Sequence, residues 1–294
     1  MAGQRRLDVV GQGRLSSAPL ERCDRDEAQY DYVLHRYEPP SPAAGKLRSV
    51  NLLVESFALA GVEAEGRALL AALERGLGRG RTVWGIKQQR GELLGWELYW
   101  YDYQRHHADL SVAHVGALLR PWLEVDAIEP RALPWHMFSI EFSPSTLRGG
   151  APVPAQLYID MRSYELRGTE LTFRNIYTFH DPRADIDEIL HRLGSSVHFD
   201  ARRHRLAQLL PPSLRRCHRV CVANKRASDA LYSSRITTAA LAAFCTEHAW
   251  PAALGGFVRT HAGELDHLLW DVGLDFEARD GLLSVEKTGV YGHY

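Results

Sequence analysis

Five pairs of short hydrophobic runs, interleaved mostly with helical stretches, predict an α+β (α/β) fold of about ten mostly antiparallel strands. Three observations carry this prediction. Each run alternates apolar and polar side chains, the period of a half-buried strand. The runs come in neighbouring pairs joined by short connections, most containing glycine, as hairpins do and parallel crossovers do not. No strand–helix–strand rhythm with a glycine fingerprint runs through the 294 residues, which argues against a dinucleotide-binding domain.

The elements follow in order. Residues 1–45 are rich in Arg, Gly, Ser, Pro and Asp, end in YEPPSPAAGK, and have little to bury, so a flexible or loosely docked arm is expected. Residues 46–294 are expected to form one domain. From Ser49 to about Leu77 apolar residues recur every three or four positions, predicting two helices broken at Gly61. TVWGIKQQRGELLGWELYWYDY then changes period and predicts a hairpin turning near Gln89-Arg90-Gly91. A helix is expected from about Asp109 to Val125. WHMFSIEF and AQLYIDM form a second hairpin across a link through Gly149-Gly150, and SYELRGTELTFRNIYTF a third, turning at Gly168. Only a short link around Arg162-Ser163 separates these two, where the alternating pattern would place helices. Helices are expected at 183–194, opened by Asp181-Pro182, and at 200–210. RVCVANKRASDALYSSRI is a fourth hairpin. Helices follow in TTAALAAFCTEHA and from Pro251 to Leu269, and a fifth hairpin turns at Asp280-Gly281.

Hydrophobic residues make up 45% and charged residues 24% of the chain, enough apolar content for a substantial core. The net charge of −1 gives no nucleic-acid footprint and no polybasic membrane patch. The Arg-rich pieces RRCHR and ARRHR are expected to be solvated faces. Four irregularly spaced cysteines and no CxxC pair point to reduced thiols, and no signal-like or membrane-spanning stretch is present, so a soluble cytoplasmic protein is expected.

Alternation also assigns faces. Trp96, Leu98 and Trp100 share one side of their strand, and Glu97, Tyr99, Tyr101 and Tyr103 the other. Phe138, Ile140 and Phe142 oppose Met137, Ser139 and Glu141, while Leu157 and Ile159 oppose Gln156, Tyr158 and Asp160. The pattern describes a sheet with an apolar outer face against helices and an inner face of tyrosines, carboxylates and hydroxyls. An open sheet could turn that polar face to water. The many tyrosines favour a ligand-holding lumen instead, and closing about ten strands leaves a cavity that side chains alone do not fill.

Four of the 35 Lys and Arg residues are lysine, and three of these, Lys87, Lys225 and Lys287, lie in strand-like runs. An edge-strand lysine that discourages aggregation is the plain reading. In a chain that otherwise uses arginine, a compact ammonium in three similar positions also suits phosphate oxygens. Lys87 is expected to share its face with Val83 and Gly85, Lys225 with Cys221 and Ala223, and Lys287 with Val285, Gly289 and Tyr291, small neighbours that leave room for a bound group. Arg174 and Arg235 also lie in strand-like runs.

At this point the chain resembles the aromatic prenyltransferases of the ABBA, or PT-barrel, type, through its alternating hairpins and helices, its Tyr/Glu/Lys/Arg lumen and the lack of a DDxxD box. Two segments, TVWGIKQQRGELLGWELYWYDY and HMFSIEFSPSTLRGGAPVPAQLYID, are similar in kind. The resemblance implies transfer of a prenyl group from an allylic diphosphate to an electron-rich aromatic small molecule in natural-product (secondary) metabolism. It implies diphosphate binding by Lys87, Arg174, Lys225 and Lys287. It assigns cation shielding to Tyr99, Tyr101, Tyr158, Tyr177, Tyr232 and Tyr291, and acceptor orientation with proton acceptance to Glu97 and Glu141. No cofactor is required by these residues, though magnesium could accompany the diphosphate. The expected partners are the small-molecule substrates, with neither nucleic acid nor membrane.

Other chemistries have thinner support. His198-Phe199-Asp200 matches the HxD element of iron oxygenases, with His248, His261 or His267 as a distal ligand, but it runs into a helical pattern where a strand is needed. His106, His107 and His114 are expected at the surface. No GxSxG occurs, Cys217 and Cys221 have no partner histidine beyond His218, and no His/Cys pair suggests a pentein-like propeller. The main rival is a non-enzymatic small-molecule binding protein using the same lumen.

Overall fold

The computed structural model describes residues 16–89, 91–103, 110–130 and 133–294. A small hairpin, β1 (Gln29–Tyr30) and β2 (Arg36–Tyr37), comes first, then helices α1 (Val50–Leu59) and α2 (Glu63–Leu77). The five expected hairpins follow. β3 (Val83–Gln89) pairs with β4 (Glu92–Tyr101), and after α3 (Val112–Leu119) comes β5 (Met137–Phe142). A short helix α4 (Pro144–Leu147) leads to β6 (Ala155–Ile159), and β7 (Arg162–Arg167) and β8 (Glu170–His180) come next. Then come α5 (Ile186–Gly194), β9 (Arg219–Asn224), β10 (Asp229–Thr237), α6 (Thr238–Glu247), α7 (Ala252–Thr260), β11 (Leu269–Arg279) and β12 (Leu282–His293). From β3 onward every strand is the antiparallel neighbour of the next, and β12 pairs with β3, so ten strands close into one barrel. Asp280 and Gly281 both have positive φ, 52° and 77°, as a tight two-residue hairpin turn requires.

The outward side chains meet the helices as the alternation predicts. Trp84, Trp96, Trp100, Phe138, Ile140, Leu157, Trp270 and Phe276 are fully buried there. Burying each such side chain contributes on the order of 1.5–3 kcal/mol. Indole N–H groups left unpaired in that layer would offset part of the gain. Trp96 donates to Ser56 of α1 (2.8 Å), Trp100 to Thr82 (3.1 Å) and Trp270 to Thr238 of α6 (3.0 Å). Among the described residues no helix packs closely on β7 or β8, where only Asp160-Met161 separates β6 from β7. There Phe173 and Ile176 face solvent, 50% and 40% exposed.

Of the expected arm, residues 1–15 lie outside the described residues, and 16–45 pack on the body. Asp31 is buried and accepts the guanidinium of Arg235 (2.9 Å), while Asp271 of β11 accepts the Tyr32 amide (3.0 Å). The Tyr37 hydroxyl accepts the Leu269 amide (2.9 Å). This sets Tyr32 and Val33 against the lumen tyrosines at one end of the barrel.

Some local expectations are corrected. No helix spans 200–210; His204 Nδ1 accepts the Asp200 amide (3.0 Å), the chain turns, and only a 3₁₀ turn at Leu206–Gln208 precedes Pro211-Pro212. The Asp181 carboxylate accepts the Arg183 and Ala184 amides, closing a local turn, so α5 begins at Ile186 behind Asp185. α3 begins behind Ser111, whose hydroxyl accepts the His114 amide, and ends at Leu119; Asp109, its expected start, lies outside the described residues. Arg90 of the first turn, His106 and His107 lie outside them too. α7 stops at Thr260 rather than continuing to Leu269.

Candidate functional site

All the residues given a site role from the sequence line the lumen, which divides into two chambers. One end, of about 610 Å³, is charged: Lys87, Arg174, Lys225, Lys287, Glu97 and Glu141 converge on it from five strands and the β9–β10 turn. The other, of about 720 Å³, is aromatic, with Tyr101, Tyr103, Met137, Phe179 and Cys221 on the wall and Tyr32 and Val33 from the N-terminal segment. Tyr99, Tyr158, Tyr177, Tyr232 and Tyr291 line both, forming a layer of phenols between them.

The tyrosine layer exists because glycines opposite the rings make space. Gly85 of β3, Gly273 of β11 and Gly289 of β12 lie on the inner face. A Cβ at Gly273 would stand 2.6 Å from the Tyr232 ring, and one at Gly85 or Gly289 would stand 2.7 Å from Tyr291. The room expected for a bound group at Gly85 and Gly289 is therefore occupied by the Tyr291 ring.

Glu97 sits at the edge of this layer, 3% exposed. It accepts Ser139 Oγ (2.5 Å) and Tyr99 Oη (2.6 Å) and pairs with Lys87 Nζ (2.5 Å). Burial alone would raise its pKa, but the Lys87 charge and the three donors together hold it below the ordinary carboxylate value. Burial would in turn lower Lys87, yet the charges of Glu97 and Glu141 push it well above the usual lysine value. Tyr99 is raised by burial first and by Glu97 second, so it stays a donor.

Every cation proposed from sequence already has a carboxylate. Lys87 also reaches Glu141 (2.7 Å), whose side chain is half exposed at the chamber mouth. Arg174 pairs with Glu165 (2.6 Å), and Lys225 (2.8 Å) and Lys287 (3.2 Å) share Asp275. Burial would raise Asp275, but the two ammonium charges hold it low. Only Arg226 among the cations lining this chamber has no ion-pair partner among the described residues.

Asp275 was not foreseen. Its signal was present: Asp271, Gly273 and Asp275 alternate through the apolar run LWDVGLDF and must share the inner face. Two placements differ from expectation. β-Bulges at Glu286 and Arg174 shift the alternation, so Val285 pairs with Phe276 on the outer face while Lys287 faces inward opposite Asp275. Lys225 lies one residue beyond the end of β9, its amide held by Asp229 (3.1 Å). Arg235 belongs to the opposite end, against Asp31. For the oxygenase reading, His198 and Asp200 lie in the 195–210 loop region, and no group of three His, Cys, Asp or Glu gathers as a metal site among the described residues.

No family model and no curated protein matches the chain. Among solved structures it is similar to NotF prenyltransferase, with a TM-score of 0.48 at 10% identity over 82% of this chain and 92% of that one. It is also similar to 5-dimethylallyl tryptophan synthase from Streptomyces coelicolor in complex with DMASPP and Trp, with a TM-score of 0.46 at 12% identity and the same two coverages. Likeness at this level speaks to neither substrate nor chemistry, which rest on the residues of this chain; the ten-stranded closed barrel is shown by its own strand pairing.

Proposed function

We propose that this protein transfers a prenyl group from an allylic diphosphate, held in the charged chamber, to an electron-rich aromatic small molecule held in the aromatic chamber. The observation that carries the reading is the layer of five tyrosines between the chambers with Glu97 at its edge. Ionisation breaks the allylic C–O bond, and the bonding pair leaves with the diphosphate toward Lys87, Lys225, Lys287 and Arg174. The allylic cation then lies against the tyrosine faces, which stabilise positive charge and exclude water. A ring carbon of the acceptor supplies the electron pair for the new C–C bond, and the displaced ring proton passes to Glu97. A ring proton beside a full positive charge is strongly acidic, so even a carboxylate of depressed pKa accepts it.

The ion pairing adds a condition. Among the described residues five cations and four carboxylates line the charged chamber, so its surplus positive charge is smaller than the negative charge a diphosphate brings. Magnesium arriving on the diphosphate would supply the difference, with Glu141 and Glu165 of the chamber the carboxylates able to face it. The same pairing is the one observation favouring a lumen that binds a neutral aromatic ligand without chemistry.

Calorimetric titration of dimethylallyl and geranyl diphosphate, with and without magnesium, separates the two. Lys287→Ala is the informative variant, because Lys225 remains to pair with Asp275. Micromolar binding that strengthens with magnesium and weakens at least tenfold, about 1.4 kcal/mol, in Lys287→Ala supports prenyl transfer. Absence of diphosphate binding under both conditions, with retained binding of neutral aromatics, overturns it in favour of the binding protein.

A further inference from the structure

The chain leaves β8 at His180 and re-enters the barrel at Arg219, and the excursion between them builds a groove of about 790 Å³. Its floor is apolar, with Ile186 and Leu190 one turn apart on α5 joined by Leu206, Pro182 and Pro212. Four exposed arginines, Arg183, Arg205, Arg215 and Arg216, line it, and among the described residues no carboxylate does. None of the four pairs with an acid among the described residues; Arg215 has only the Leu210 carbonyl (3.3 Å). Elsewhere Arg22, Arg48, Arg67 and Arg79 each hold a carboxylate. In a chain of net charge −1, four guanidinium groups without an ion pair around one concavity, of which Arg183 lies near the Asp181 carboxylate, leave it locally positive and suited to an anion.

The place is informative as well. Phe179, His218 and Arg219 line the aromatic chamber, while Pro182, Arg183 and Arg216 line the groove. Three residues span at most roughly 11 Å, so the groove adjoins the entrance of that chamber.

We propose that this groove docks an acidic amphipathic helix of a partner protein beside the aromatic entrance. Leucine-like side chains of the helix fill the floor and its carboxylates meet the arginines, the helix-in-groove mode of recognition with bidentate ion pairs added. The floor is recessed between the arginines, which suits an inserted helix face better than a bilayer surface. The arginines would meet the phosphates of a nucleic acid, but its polar backbone and bases would leave the aliphatic floor uncovered, which leucine-like side chains fill.

The test uses the intact chain and a fluorescent helical peptide of about 16 residues, with Leu at i, i+3, i+4 and i+7 and Glu on the flanks. The comparison is a Lys-flanked peptide of the same Leu pattern. Micromolar anisotropy binding of the acidic peptide is expected, with none for the Lys peptide. Affinity should fall at least tenfold on raising salt from about 50 to about 300 mM. It should fall similarly in Arg205→Ser/Arg215→Ser/Arg216→Ser and in Leu190→Gln, two variants that change the groove by different chemistry. Equal binding by wild type and the Arg variant overturns the proposal, as does no binding, or binding only of anionic vesicles or a DNA duplex. These residues lie outside the lumen, so diphosphate titration of the Arg variant stays unchanged whichever way the docking test falls.

Discussion

Lys87 carries the sharpest energetic consequence. Its ammonium is buried between Glu97 and Glu141, at 2.5 and 2.7 Å. Lys87→Met removes the charge while keeping an apolar stem of similar length. Glu141, half exposed, then turns to water. Glu97 cannot, and keeps only Ser139 and Tyr99 as donors. A buried carboxylate stripped of its cation costs about 3–5 kcal/mol. Urea denaturation of Lys87→Met followed by fluorescence should show a loss of this size at neutral pH. The sign of the pH dependence follows from Glu97. Its folded pKa is depressed in the wild type, so its contribution is present above the unfolded carboxylate pKa and lost as pH falls through the folded one. In Lys87→Met that contribution reverses, and the variant should approach wild type toward acid. The double variant Lys87→Met/Glu97→Gln should recover most of the loss, because both charges go together. A loss below about 1 kcal/mol, or a double variant as unstable as the sum of the single ones, refutes the reasoning.

Other perturbations probe the rest of the lumen. Gly273→Ala places a methyl against the Tyr232 ring and should cost about 1–3 kcal/mol and narrow ligand acceptance, read by thermal melting and by binding of neutral aromatics of graded size. Arg235→Ala leaves Asp31 buried without its guanidinium, so limited proteolysis should cut between residues 24 and 45 well before the barrel, whereas wild type resists. His267 is fully buried, and burial, helped by Lys46, lowers its pKa to about 4. Its stabilisation is therefore present above the unfolded histidine pKa and fades as pH falls through 4, with a slope of at most about 1.4 kcal/mol per pH unit; His267→Gln should flatten the acid limb of stability against pH.

Much of the barrel was legible because a strand's two faces are written as alternate letters. The assignment of Trp96, Leu98 and Trp100 outward and of Glu97, Tyr99 and Tyr101 inward needed nothing beyond a period of two. Hairpin turns were legible at Gly168 and Asp280-Gly281 because the required backbone favours those residues. What alternation cannot reveal is a bulge: Glu286 shifts the register between Lys287 and Val285, and nothing in SVEK announces it. The false helix at 200–210 has a similar cause. Leu206, Leu209 and Leu210 are spaced as on a helix, but they serve burial in an irregular loop whose turn is fixed by the His204 ring and by the Gly281 carbonyl 77 positions away. Pairing of Lys225 with Asp275 was equally hidden, since it joins strands two apart around the barrel. The N-terminal segment looked like a tether because its polar letters outnumber its apolar ones, while its docking rests on a few long-range pairs, Arg22 with Glu264, Asp31 with Arg235, Tyr32 with Asp271 and Tyr37 with Leu269.

Closure between β3 and β12 governs how the chain can acquire its shape. The Trp84 indole donates to the His293 carbonyl, 209 positions away, and the Tyr32 amide reaches Asp271 across 239. During synthesis β3 to β11 can only form an open sheet with two raw edges, prone to pair with other chains. The start of the N-terminal segment can dock early, the Ser16 amide on Glu55 and the Glu21 amide on Asn51 of α1, but Asp31 and Tyr32 have no partners until β10 and β11 emerge. Folding of this kind is slow, because loop entropy is lost before distant contacts repay it. Chaperone dependence and aggregation at high expression should accordingly respond to the strength of the β3–β12 seam more than to any other part of the sheet.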